Sequence, residues 1–326
     1  MTTEIYIISG FLGAGKTTLI QKLIKEAFEG EKIVLIENDF GEISVDAALL
    51  RSGCIEVKEI NSGCICCSLS GDFAKALKEV VDSYHPDKII IEPSGVGKLS
   101  DIMKTCSDPR VLPHAKIKAR ITVTDVKRCK MYLDNFGEFF DDQIENADVI
   151  LLSRSEDFPD KINDACKLIK GLNAHAPILS KPWEQITANE ILFSQRDYRA
   201  KGQGELNHEH CNGEHCHCEH HEHHHGHDCD CGHAHAAEEA FDTVTIRPKR
   251  VFSIEDLKTR MLRMERGTRG TILRVKGIVH GPSGYINLQY LPGDIRITNC
   301  DIHGDVLCFI GENLNRQELV NIFGGE

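Results

Sequence analysis

Short apolar runs recur through the first half of the chain, each followed by a polar or glycine-rich loop. Ile5-Tyr6-Ile7-Ile8, Lys32-Ile33-Val34-Leu35-Ile36, Lys88-Ile89-Ile90-Ile91, Ala119–Asp125 and Asp148-Val149-Ile150-Leu151-Leu152 read as buried strands. Pro177-Ile178-Leu179 reads as a further one, and Cys54–Ile60 as a short strand pair. Between them the apolar period lengthens to that of a helix, as at Leu19–Lys25 and at 70–83, where Phe73, Leu77, Val80 and Val81 share a face. Strands alternating with helices predict an α/β fold: a mostly parallel sheet covered by helices on both faces.

The pattern breaks after about Gln203. Between Asn207 and His235 stand 12 histidines and 5 cysteines with almost no aliphatic residue. Such a segment cannot bury a core, and it is expected to be disordered unless metal organises it. Alternation returns at Phe241–Ile246. Ser253 is an N-cap candidate for the next helix, strand-like pieces follow at 270–279, 285–290 and 305–310, and a helix at 315–323. The expected organisation is a nucleotide-binding domain at 1–203, a His/Cys-rich linker at 204–238, and a small α+β domain at 239–326.

A formal net charge of -12 argues against nucleic acid or an anionic membrane as partner. No apolar run reaches membrane-spanning length, and the first strand begins too early to leave room for a signal peptide. A cytoplasmic location is therefore expected, in which the 14 cysteines serve as thiols or metal ligands rather than disulfides.

Gly10-Phe11-Leu12-Gly13-Ala14-Gly15-Lys16-Thr17-Thr18 fits the phosphate-loop pattern and lies between a strand and a helix. Backbone N–H groups of Gly13, Ala14 and Gly15 and the helix N-terminus point at phosphate; Lys16 reaches the β/γ-phosphates and the Thr17 hydroxyl ligates Mg²⁺. Glu92-x-x-Gly95 ends a later strand, where an acid holds Mg²⁺ through water or polarises an attacking water, and the Gly95 N–H meets the γ-phosphate. Lys16, Glu92 and Gly95 are the catalytic candidates. An acidic strand end followed by a plain turn is the bland alternative.

Cys64-x-Cys66-Cys67 places three thiols within four residues, a soft ligand set suited to Zn²⁺, Co²⁺, Ni²⁺ or Cu⁺. A redox sensor is the competing reading. Glu37 and Glu42 are candidate oxygen ligands beside it. Cys54, Cys106, Cys129, Cys166, Cys300 and Cys308 are scattered and read as structural. The His/Cys tract suits an exchangeable metal reservoir, or a solvated linker that binds metal only incidentally.

With these motifs in hand, the chain resembles the CobW-type P-loop GTPases, relatives of the GTPases that insert nickel into hydrogenase and urease. The resemblance implies a GTP-dependent metallochaperone with slow intrinsic hydrolysis. It would hold zinc, cobalt or nickel at Cys64, Cys66 and Cys67 and release it to a client protein, with a nucleotide-dependent homodimer as a further expectation. Gly10, Gly13, Ala14, Gly15, Lys16, Thr17 and Thr18 would bind phosphates and Mg²⁺. Where the family carries Asn-Lys-x-Asp for guanine, this chain has Ser153-Arg154-Ser155-Glu156: Glu156 keeps a carboxylate, and the Arg154 stem would cover the base. ATP in place of GTP, a metal-storage protein dominated by the tract, and a small-molecule kinase are the alternatives. Trp183 reads as a half-buried structural residue, with stacking on the base as the other option.

Overall fold

The computed structural model describes residues 2–37, 55–59, 70–194 and 241–325. Two sheets organise them. The first contains β1 (Thr3–Gly10), β2 (Ile33–Glu37), β3 (Ile55–Glu59), β4 (Lys88–Glu92), β5 (Ala115–Asp125), β6 (Val149–Ser153) and β7 (Ile178–Leu179), in the order β3-β2-β4-β1-β5-β6-β7. Every pairing in it is parallel. The connecting helices are α1 (Lys16–Ala27), α2 (Ser70–Tyr84), α3 (Leu99–Cys106), α4 (Cys129–Glu145) and α5 (Ile162–Leu172).

Central β1 shows why a continuous apolar run was needed. Tyr6 and Ile8 pack on Leu19, Ile20 and Leu23 of α1, while Ile5 and Ile7 pack on Phe73 and Leu77 of α2. Successive side chains of a strand point to opposite faces, so a sheet covered on both sides has no polar position to spare. Residues 55–59 form one strand beside β2, not a strand pair, because the sheet edge takes them up in parallel register.

The second sheet is antiparallel: β8 (Asp242–Ile246), β9 (Thr271–Gly281), β10 (Gly284–Leu291), β11 (Asp294–Cys300) and β12 (Val306–Glu312), in the order β11-β10-β9-β12-β8. Helices α6 (Ile254–Gly267) and α7 (Arg316–Phe323) bury Leu257, Met261, Leu319 and Phe323 on one face of it. Both helices start on a capping side chain: Ser253 Oγ accepts from Asp256 N–H at 3.1 Å, and Asn315 Oδ1 from Glu318 N–H at 3.2 Å. Strand β11 escaped the sequence reading. It lies at an open edge, with Asp294, Arg296 and Asn299 interrupting its apolar positions.

The opposite face of this sheet is covered by the first domain. Leu273, Leu291, Cys308 and Ile310, with Phe241, share one core with Phe11, Leu12, Tyr132, Phe136 and Phe140. Phe11 stacks on Phe136 with centroids 5.4 Å apart, and Phe241 lies 5.1 Å from Phe139. The interface between domains is thus built like an interior.

Candidate functional site

The phosphate loop joins the end of β1 to the start of α1. Lys16, buried at 5% exposure, donates from Nζ to the Gly10 carbonyl at 3.1 Å and lies 3.9 Å from Glu92 Oε1. Thr17 Oγ1 is 3.4 Å from both carboxylate oxygens of Glu92. The structure therefore brings the lysine, the hydroxyl and the acid of the two sequence motifs to one spot. A hydroxyl facing a carboxylate beside a buried ammonium is a hard-oxygen set that fits Mg²⁺.

Gly95, two residues beyond Pro93, lies against the phosphate loop. A Cβ there would stand 2.8 Å from the Leu12 nitrogen and 2.9 Å from its Cα, so only glycine allows this approach. Two residues that sequence reasoning missed hold the loops from α4. Tyr132 donates its hydroxyl to the Leu12 carbonyl at 3.1 Å. Fully buried Gln143 donates to the carbonyls of Gly95 at 3.2 Å and Gly97 at 2.8 Å. No local pattern marks either residue, because each acts across a long separation in sequence.

These loops open on a cavity of about 690 Å³. Gly13, Ala14, Gly15 and Thr18 line it, together with Arg154, Glu156 and Trp183. Glu156 accepts from the Ser155 hydroxyl at 3.3 Å. Buried Ser153 Oγ has no hydrogen-bond partner among the described residues, so it braces the loop through nothing that replaces an amide. Trp183 is half-buried, donates from Nε1 to the Leu152 carbonyl at 2.8 Å, and sets its ring 3.3 Å from where a Cβ on Gly15 would be. It forms a wall of the cavity through a structural bond.

Arg154 adopts a left-handed backbone, φ 59°. Its guanidinium turns to Asp125 at 3.4 Å and to Asp294 of the second sheet at 3.1 Å. The remaining wall comes from that sheet, with Arg274, Gln289, Leu291 and Arg296. Leu291 rests on the phosphate loop: a Cβ on Gly13, whose φ is 68°, would stand 2.4 Å from Leu291 Cδ1.

Glu37, a candidate metal ligand from the sequence, ends β2 directly in register with Glu92 on β4, and it is buried at 5% exposure. Lys276 of β9 lies within electrostatic reach of it; burial pushes this ammonium down to about 8, and the charges of Cys308 and Glu37 oppose that shift. Cys64, Cys66, Cys67 and Glu42, together with the His/Cys tract, lie outside the described residues. Cys106 and Cys129 are buried thiols, each pushed up to about 12 by desolvation, and so are neither nucleophiles nor ready ligands.

Residues 4–180 match the family model of the CobW/HypB/UreG nucleotide-binding domain. The chain belongs to the CobW/HypB/UreG family. Residues 241–325 match the cobalamin synthesis protein CobW C-terminal domain. Zinc chaperone YjiA of Escherichia coli (strain K12) is 33% identical over 181 residues, 53% of this chain and 55% of its own length. Zinc chaperone CobW of a Sinorhizobium species is 32% identical over 178 residues, 46% of this chain and 50% of that one. The chain spans about half the length of the curated relatives it matches. The crystal structure of Zn(II)-bound YjiA GTPase from E. coli aligns over 99% of this chain and 98% of its own, with 19% identity and a TM-score of 0.44. Among the described residues, no helix is long and apolar enough to cross a membrane.

Proposed function

We propose that this protein is a GTP-dependent metallochaperone that carries zinc. One observation carries the link between nucleotide and metal: Glu37, the entry to the loop that leads toward the cysteine motif, stands in register beside Glu92, which faces Thr17 and Lys16. A change at the phosphates is felt one strand away from the candidate metal side. The names of the relatives, zinc chaperones, support zinc over cobalt or nickel.

In this reading Lys16 and the loop N–H groups hold the phosphates, and Thr17 and Glu92 hold Mg²⁺, which when bound neutralises charge on the phosphate oxygens. Glu92 also orients the attacking water, and Gly95 couples the following loop to the terminal phosphate. Cys64, Cys66 and Cys67 take zinc with help from Glu37 and Glu42, and loss of the terminal phosphate loosens that set so that a client with fixed ligands takes the ion. Glu156 selects guanine.

The test is a Zn²⁺ competition titration on the full chain, with Mg²⁺ and a non-hydrolysable GTP analogue, then GDP, then the ATP analogue. The reading expects a tight zinc component present with the GTP analogue, weakened with GDP and abolished in Cys66→Ser/Cys67→Ser. Equal zinc affinity in all nucleotide states defeats it, since a nucleotide shifts only what it binds differentially. That result would favour the storage reading, in which the His/Cys tract sets the capacity.

A further inference from the structure

The face that the second sheet turns to the cavity is basic. On it Gln289 of β10 is paired with Lys276 of β9 and with Arg296 of β11. Beyond the Tyr290–Val275 pair, where this pairing ends, come Leu291 on β10 and Arg274 on β9. Arg274 and Leu291 line the same cavity as Lys16, Thr17 and Glu92.

Arg274 shares this cavity with the phosphate loop, and three observations bear on which part of it Arg274 lies near. Leu291, which lines the same cavity, sits over Gly13 of the phosphate loop. Tyr132, bonded to the Leu12 carbonyl, lies within electrostatic reach of Arg274. Lys276, two residues along β9, lies within reach of Lys16 and Glu37, so this strand runs past the lysine that serves the β/γ-phosphates. Arg296 is less suited because it is 64% exposed.

We propose that Arg274 is a nucleotide-binding residue supplied in cis by the second domain, its guanidinium meeting the terminal phosphate of a bound nucleoside triphosphate. The inference rests on the nucleotide-binding part of the reading above. A planar fork of donors matches phosphate oxygens, and the site loses that geometry when lysine replaces arginine. Triphosphate and diphosphate are then told apart by the second domain as well as by the Gly95 loop.

The experiment measures binding of fluorescent GTP and GDP with Mg²⁺ to the full chain, its Arg274→Ala and Arg274→Lys variants, and Lys16→Ala. Arg274→Ala is expected to weaken GTP roughly 10- to 100-fold and GDP by less than about threefold, as loss of a charge-assisted pair to one phosphate requires. Arg274→Lys recovers only part of the GTP loss. A GTP-to-GDP affinity ratio unchanged in both Arg274 variants overturns the proposal, whether or not absolute affinity falls through damage to the fold. A parent chain that binds neither nucleotide, or a Lys16→Ala variant that binds as the parent does, overturns the nucleotide reading itself.

Discussion

Replacing Asp294 by alanine removes one of two carboxylates that face two guanidinium groups at the domain boundary. Asp125, fully buried, accepts from Arg128 Nη1 at 2.5 Å and lies 3.4 Å from Arg154. Asp294, at the far side of the Pro292-Gly293 turn, lies 3.1 Å from Arg154 and 3.8 Å from Arg128. Without it, buried Arg128 and half-buried Arg154 share one anion. Stranding a charge in this way costs about 3–5 kcal/mol when burial is complete. Here Asp294 is 23% exposed and Arg128 keeps its bond to the Pro292 carbonyl at 3.2 Å, so the expected loss is about 2 kcal/mol. The check is a double-mutant cycle with Arg154→Ala, read from urea unfolding of the nucleotide-free full chain. A coupling of about 1–2 kcal/mol is expected. Losses that add to within about 0.5 kcal/mol would show that the two residues do not act together, and that Arg154 is not a tie between the domains.

Tyr132→Phe leaves the Leu12 carbonyl without its donor and is expected to cost about 1–2 kcal/mol in urea unfolding and to weaken GTP binding; unchanged stability would mean that the bond does not hold the loop. Gly95→Ala forces a methyl onto the Leu12 backbone and is expected to reduce GTP affinity at least about tenfold while the far-UV circular dichroism is kept, and parental affinity would refute the close approach. Glu4 is held at about 2: burial opposes this, but hydrogen bonds from Lys118 and Tyr6 and the charges of Lys118 and Lys88 outweigh it. Its contribution is therefore present above its ordinary value of 4.5 and lost as pH falls from there toward 2. Glu4→Gln should cost about 1 kcal/mol in urea unfolding at pH 7, with the gap to the parent narrowing below pH 4.5; a gap constant from pH 7 to pH 3 contradicts the assignment.

What the sequence disclosed is what short-range order encodes. The run before Gly10 and the helical spacing after Thr18 identify a strand, a phosphate loop and a helix. The acid at the end of the Lys88–Glu92 strand had to come to the same carboxyl end of the sheet, and Lys16, Thr17 and Glu92 do meet there. Ser253 announced its helix by chemistry as local as a hydroxyl and the N–H of Asp256. Tyr132 and Gln143 announced nothing. Each looks like an ordinary residue of an amphipathic helix, and its partner is chosen by how α4 lies across two loops. Arg154 was legible only in part: its position in the base-recognition tetrad suggested a stem over the base, but nothing near it in sequence marked the pairing of its charged end with Asp125 and Asp294. Attraction between distant charges has no period in sequence.

The second sheet touches the first domain at three places that bear on function. Leu291 sits on the phosphate loop at Gly13, Asp294 holds Arg154 beside Glu156, and Lys276 lies within electrostatic reach of Glu37 at the end of β2. Gln289, one residue from Tyr290 and two from Leu291, is paired directly with Lys276. A hydrogen-bonded sheet covered by two helices moves as one body, so it cannot withdraw from one of these contacts and keep the other two. Any ligand that favours the docked arrangement at one place favours it at all three. Coupling of this kind is reciprocal: if the GTP analogue raises zinc affinity by some factor, zinc must raise the affinity for the GTP analogue by the same factor. Asp294→Ala loosens the shared body without removing a proposed ligand of either site, and should shrink both factors together. A variant that keeps the full reciprocal effect would place the coupling within the β2–β4 strand pair alone, where Glu37 and Glu92 stand side by side.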